Sequence, residues 1–221
     1  MSVRQPLALI SIIVLLAVAY VASKWGLADL YAKQARSKIE RWYNDSASPE
    51  FQEWSAVLES IALAHQWDPR NPDFAEDLGR VYSWGTASKH NPGTIAFQQQ
   101  ALAYFRLVTR QTPTSPYAWS KVGLAKLRVG QIDSELFHAM KMAAMLGPWE
   151  PQVQAELVDV GLGTWTVLPD EIRNLVRETI ERGMKYQASR MLRIAQRHGQ
   201  VRVLCDMKVA DKTLPLEACT H

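Results

Sequence analysis

The longest unbroken apolar run is Leu7 to Ser23, LALISIIVLLAVAYVAS, which carries no charge and is closed by Arg4 on one side and Lys24 on the other. About 20 apolar residues span a bilayer, and about 17 is the lower limit. Two readings stand. The run is a retained signal anchor, or it is a cleaved secretory signal, because VAS ahead of Lys24 has the small-residue pattern that a peptidase accepts. The residues beyond the run favour the anchor. Leu27, Leu30, Tyr31, Ala35, Ile39 and Trp42 continue a helical stripe out of the span, and cleavage at Ser23 would leave that stripe without its stem. The pattern predicts an amphipathic helix over 25–43. NDSASP (Asn44–Pro49) then predicts a break, with Ser48 as a cap and Pro49 as the first residue of the next helix.

Downstream, apolar positions at helical spacing are punctuated by Pro-x-x-Pro at Pro69–Pro72 (DPRNP), Pro113–Pro116 (TPTSP) and Pro148–Pro151 (GPWEP). The first Pro of each pair cannot continue the preceding helix. The second suits the first position of a new helix, where its missing N–H costs nothing. Asn71 and Ser115 are good N-caps ahead of it. Glu150 is a poorer cap whose charge still suits a helix N-terminus. The joints recur after 44 and 35 residues. The longer interval contains WGTASKHNPGT (Trp84–Thr94), a Gly/Asn/Pro-rich insertion of about ten residues, and removing it brings both intervals near the 34-residue period of tetratricopeptide helix–turn–helix repeats.

The helix interiors agree with that repeat. Counting the second Pro as one, positions seven and eight are Leu78-Gly79 and Val122-Gly123, Tyr82 occupies position eleven, and Trp119 occupies position four. Gly is expected there because the two helices of a unit approach closely. Ala64, Ala101, Phe105 and Ala143 match the second helices. The third copy is weaker, with Leu157-Val158 and Gly161, as expected of a terminal repeat facing solvent. Helices are predicted near 49–67, 72–84, 95–111, 116–129, 133–146 and 151–164. LPDE (Leu168–Glu171) opens a further helix, with Ile172, Leu175, Val176, Thr179 and Ile180 on one face and Gly183 as its stop. A last helix carries Met184, Ala188, Met191, Leu192 and Ala195 and ends at Gly199; VRVLC beyond it reads as a short extended piece. The fold class is therefore all-α, a tetratricopeptide-like helical-repeat solenoid with an N-terminal transmembrane helix. Its segments are 1–24 (N-terminal segment and anchor), 25–48 (juxtamembrane helix and linker), 49–168 (repeat domain) and 169–221 (capping helices and a Cys-bearing tail).

Composition changes this picture little. The 221 residues carry a formal charge of +3, so no global basic footprint points to nucleic acid. Arg173, Arg177, Arg182, Arg190, Arg193 and Arg197 give the last two helices a basic outer face. It reads as a solvated face or, more sharply, as a contact for an anionic polymer or lipid headgroups. The five His residues show no HxxH or HxxxH spacing, so no metal site is expected. GxxxxGK[ST], GxGxxG and GxSxG are absent from the sequence. The helix-start carboxylates Glu50, Glu53, Asp170 and Glu171 are explained by the helix dipole. No catalytic, cofactor-binding or metal-binding residue is assigned, and no cofactor is expected.

The charge around the span is divided. Arg4 precedes it, whereas Lys24, Lys33, Arg36, Lys38 and Arg41 lie beyond it, offset by Asp29, Glu40 and Asp45. The positive-inside rule would leave the C-terminal part in the cytoplasm, although large domains translocate largely regardless of charge. Cys205 and Cys219, the only two cysteines, argue the other way. A bridge between them would close a loop of about 15 residues, worth about 3 kcal/mol. It would need an oxidising compartment such as the periplasm. The alternative is two unrelated thiols.

Eight Trp residues is a high count, and Trp marks either dense helix packing or a contact surface. Trp149 is singled out because the other two joints hold polar residues in its place, Arg70-Asn71 and Thr114-Ser115. It is expected to pack on a neighbouring element, the C-terminal helices first, or to await a partner. The candidate interaction residues are Trp149, Glu150, Gln154, Trp119 and Trp84.

WDPRNPDFAEDLGRVYSW (Trp67–Trp84), PYAWSKVGLAKLRVGQID (Pro116–Asp133) and LGPWEPQVQAELVDVGLGTW (Leu146–Trp165) resemble the VpsP family of polysaccharide biosynthesis proteins. The resemblance covers about 54–173, and GPWEP followed by Gln and the GL..W run ending at Trp165 are its most specific pieces. It implies a small membrane-anchored protein acting in bacterial exopolysaccharide synthesis or export, and it implies no catalytic residues. The expected partners are other proteins of that machinery, the inner membrane through Leu7–Ser23, and the polysaccharide itself as a further candidate. The expected location is the bacterial inner membrane, single-pass, with a periplasmic soluble domain. Two other readings are a carbohydrate-binding module working through exposed Trp faces and a general cell-envelope repeat protein.

Overall fold

A computed structural model describes residues 4–45, 49–85 and 94–207. The described residues are helical with no β-strand: nine α-helices and one short 3-10 turn at Trp165–Val167. The chain divides into two compact units, Met1–Asn91 and Pro92–His221. That boundary falls inside the expected 49–168 segment, because the juxtamembrane stretch shares its core with the helices immediately after it.

The first unit is built on α1 (Arg4–Asp45), one uninterrupted helix. Forty-two residues at 1.5 Å each make it about 63 Å long. Its first half is apolar and long enough to cross a membrane, and that half buries nothing against the protein. Its second half packs against α2 (Phe51–Trp67). The buried stripe is Ala28, Ala32, Ala35, Ile39 and Trp42, facing Trp54, Val57, Ile61 and Ala64 of α2. Both sets follow the alternating three- and four-residue spacing of a helix–helix seam. This corrects the expected stripe. Leu27, Leu30 and Tyr31 remain exposed, and small Ala residues take the seam instead, which brings the two backbones close.

Helix α2 starts at Phe51 after Glu50, so Pro49 stands outside it; the expected cap Ser48 lies outside the described residues. Helix α3 (Pro72–Trp84) completes the unit. Trp54 donates its indole N–H to the Val81 carbonyl at 2.8 Å. Asp77 of α3 is buried and receives Arg36 of α1 at 2.6 Å. Burial pushes the Asp77 carboxyl pKa up, with the guanidinium opposing it.

The second unit contains α4 (Thr94–Gln111), α5 (Pro116–Arg128), α6 (Ser134–Leu146), α7 (Pro151–Gly163), α8 (Asp170–Arg197) and α9 (Val201–Asp206). The joint chemistry is as read from the sequence. Pro72, Pro116 and Pro151 each open a helix. Asn71 accepts from the Asp73 N–H at 3.0 Å, Ser115 accepts from the Ala118 N–H, and Glu150 makes no side-chain cap. Ala64, Ala101, Phe105 and Ala143 are all buried, as the repeat positions predict.

Three elements differ from expectation. The first is α7. It does not face solvent as an end repeat; Val153 to Val158, Val160, Gly161 and Leu162 are buried. It is covered because α8 folds back on itself. Val176 meets Gly161, Gln187 meets Pro151, and His198 returns to Asp159. The outgoing and returning arms of α8 therefore both lie along α7.

The second difference is the turning point, which is Gln187 with φ −143° and ψ 41°, not Gly183. Gly183 instead admits Met191 of the returning arm. The third is Val201–Asp206, which is helical rather than extended.

An ion network holds the other side of this unit. Lys126, fully buried, reaches Asp133 at 2.9 Å and Glu135 at 2.6 Å, and Arg106 grips Glu135 with two bonds of 2.7 and 2.5 Å. It ties α4, α5 and α6 together. Between α5 and α7, Lys121 pairs with Glu156, which also accepts from Ser120 at 2.6 Å and from Gln152 at 3.0 Å. A buried pair persists only when its remaining lone pairs are bonded, and these are.

Candidate functional site

The third joint, Leu146 to Pro151, is almost wholly consumed by structure. Gly147 lies against Pro116 of the second joint: a Cβ at Gly147 would sit 2.6 Å from the Pro116 Cβ. The two joints are therefore stacked, and only glycine fits the contact. The Tyr117 hydroxyl, just after Pro116, donates to the Glu150 carboxylate. That bond pushes the Tyr117 phenol pKa above its ordinary value, since ionisation would set two negative charges face to face.

Gln154 is buried, with 3% of its surface exposed. Its amide donates to the Pro148 carbonyl at 2.8 Å and accepts from Gln187 at 3.0 Å. Gln187 donates as well to the Pro151 carbonyl at 2.9 Å. Gln154 and Gln187 thus clamp the fold-back point of α8 onto the start of α7. An amide pair suits the task, because each side chain carries both donor and acceptor. Gln154 is a structural residue, not a surface contact.

Trp149 is the exception. It is 63% exposed, so the expected packing onto the C-terminal helices does not occur. The backbone beside it is fixed on both sides, by Gly147 on Pro116 and by the Gln154–Gln187 clamp. Two further large side chains are exposed at the same end of the unit: Met145 (66%) in the last turn of α6 and Tyr186 (80%) beside Gln187. Neither carries a sequence signal of its own. Tyr186 becomes visible only once α8 is known to fold back to Pro151.

The remaining candidates do other work. Trp119 is half-buried; its indole donates to the Pro113 carbonyl at 2.8 Å, and its ring meets His138 edge-on at 5.2 Å. Trp84 belongs to the first unit, where it meets Trp42 at 6.4 Å and Tyr43 at 5.4 Å. Of the eight Trp residues only Trp25 and Trp149 are exposed. No two exposed Trp residues belong to the same unit.

The basic face is also partly spent. Arg173 bonds Asp170, Arg182 meets Glu178, Arg197 and His198 meet Asp159, and Arg177 stacks over the Trp165 ring at 5.5 Å. Arg190, Arg193 and Arg197 line a cleft of about 180 Å³ with Glu156 and Asp159, so its charge is mixed. No group of His, Cys, Asp or Glu suited to a metal ion occurs among the described residues. Cys205 is half-buried on α9; Cys219 lies outside the described residues. No protein-family model matches the chain, and no curated protein matches it.

Proposed function

We propose that this protein is a non-catalytic, membrane-anchored scaffold of bacterial exopolysaccharide synthesis or export, and that it docks a protein partner on the exposed end formed by Met145, Trp149 and Tyr186. The observation that carries the docking site is Trp149. A large aromatic left open on a backbone held on both sides gains contact area at little entropic cost, which is the character of an interface hot spot. The single apolar half of α1 supports a single-pass anchor in the inner membrane. The recurring Pro joints, the stacked second and third joints and the buried Ala positions support a tetratricopeptide-like solenoid. The resemblance to VpsP proteins supplies the polysaccharide context, and the Cys205–Cys219 pair supplies the periplasmic side.

Direct handling of the polymer through Trp faces is the weaker reading, because six of the eight Trp residues are buried or half-buried. The test is chemical cross-linking in membranes followed by affinity capture, with secreted polymer measured in a deletion strain. The scaffold predicts loss of polymer and capture of a synthase, polymerase or export component. Capture of none of these, with polymer unchanged, overturns it.

A further inference from the structure

The anchor and the first unit are one rigid piece, and this fixes where that unit sits. The inference rests on the membrane-anchor reading above. Leu7 to Ser23 is about 25 Å of helix, close to the hydrocarbon thickness of a bilayer. Lys24 is the first charge beyond it, so its ammonium marks the headgroup level. The helix does not bend there: α1 runs unbroken to Asp45, and Ala28, one turn beyond Lys24, is already fully buried against the unit. No linker separates the span from the folded part.

Helix α2 returns antiparallel along this stem. Arg41 lies 4.0 Å from Glu53 near the far end, and at the near end the Lys24 ammonium lies 6.0 Å from the centre of the Trp67 ring. Those two contacts are 17 residues apart on α1 and 14 on α2, so the helices run alongside each other through the whole interval. Trp67 therefore stands at the height of Lys24. The Lys24 ammonium also lies 6.0 Å from the Tyr20 ring, and Trp25 is 57% exposed beside it. Tyr and Trp rings with a Lys between them are the side chains that settle at a membrane–water boundary.

We infer that the α2–α3 joint, Trp67 to Pro72, is seated on the lipid headgroups. It is the membrane-facing end of the first unit, with Arg70 exposed toward the lipid. Phe51, at the opposite end of α2, stands about 25 Å further from the bilayer. The occupant of this end is the lipid surface itself. A protein that meets the first unit at this joint must therefore be embedded in the membrane or lie flat on it.

The test uses the full chain in vesicles of phosphatidylethanolamine and phosphatidylglycerol carrying an alkyne-tagged lipid. The photoreactive residue p-benzoylphenylalanine is placed at Trp25, Arg70 or Phe51 in separate proteins. Flotation with the vesicles and lipid adducts at position 25 report the anchor. The inference predicts adducts at position 70 comparable with position 25 and several-fold above position 51. Flotation and position-25 adducts without position-70 adducts overturn the seating of the joint while leaving the anchor standing. Failure to float overturns the anchor, and the inference with it. Normal helical circular dichroism of each variant establishes that a negative result is not unfolding.

Discussion

Gly161 and Gly123 make a sharp test of where close packing is. The repeat motif assigns the close helix approach to Gly123, yet a Cβ added there would meet Val160 at 3.6 Å and Leu136 at 3.9 Å, which is ordinary contact. At Gly161 a Cβ would lie 2.4 Å from one Val176 methyl, 2.7 Å from the other and 3.1 Å from its Cβ. Val176 is fully buried and β-branched, so it cannot rotate aside. Replacing Gly by Ala in a helix interior gains about 1 kcal/mol from backbone entropy. For Gly123→Ala that gain stands nearly alone, and with about 2–4 °C per kcal/mol for a chain of this size the midpoint should rise by about 2–4 °C. For Gly161→Ala overpacking costs about 3 kcal/mol, the upper end for an immobile neighbour, leaving a net loss of about 2 kcal/mol and a fall of about 4–8 °C. Gly183→Ala should fall between them, because its obstacle is the flexible thioether of Met191, with Cε at 2.8 Å. The assay is thermal unfolding by circular dichroism of the full chain in one detergent. The Gly161→Ala, Val176→Ala pair should recover part of the loss. Equal effects at 123 and 161, or a gain at 161, would refute the packing of α8 on α7.

Further predictions concern charge, the clamp and the cysteines. The Arg106 and Lys126 contacts hold the Glu135 carboxyl at about 2, below its ordinary value of 4.5. A depressed carboxylate stabilises the fold above its unfolded value, so its contribution should fade as pH drops from about 4.5 toward about 2; urea midpoints should show that Glu135→Gln is less acid-sensitive over this window. Gln187→Ala leaves the buried Gln154 oxygen without its donor and should cost about 1–3 kcal/mol in denaturant unfolding. If Cys205 and Cys219 are bridged in the periplasm, thiol reagents applied to intact cells should label neither until reductant is added; labelling of both without reductant would place the domain in the cytoplasm.

Much of this molecule was legible in the chain because its signals are local. Pro72, Pro116 and Pro151 open helices for reasons contained within four residues. Ala101, Phe105 and Ala143 show their burial through helical period alone. The identity of a helix face was harder. Leu27 and Leu30 outrank Ala28 and Ala32 in hydrophobicity, yet the seam with α2 takes the small residues, and only the partner helix decides that. The position where α8 turns back was not legible either. Gly183 looks like a stop, but the turn is held at Gln187 by the Pro151 carbonyl, 36 residues away in the chain, and by the Gln154 side-chain oxygen. For the same reason Gln154 reads as a surface residue until its partners are known, and Tyr186 acquires a place beside Trp149 only through the fold-back.

Trp149→Ala is the most direct test of the proposed docking end. Trp149 is exposed and the joint is held by Gly147, Gln154 and Gln187, so the variant should keep the wild-type unfolding midpoint within about 0.5 kcal/mol, as surface substitutions do. Cross-linking in membranes should then lose the captured partner, and secreted polymer should fall with it. An unfolded variant, or a folded one that keeps both partner and polymer, would contradict the account.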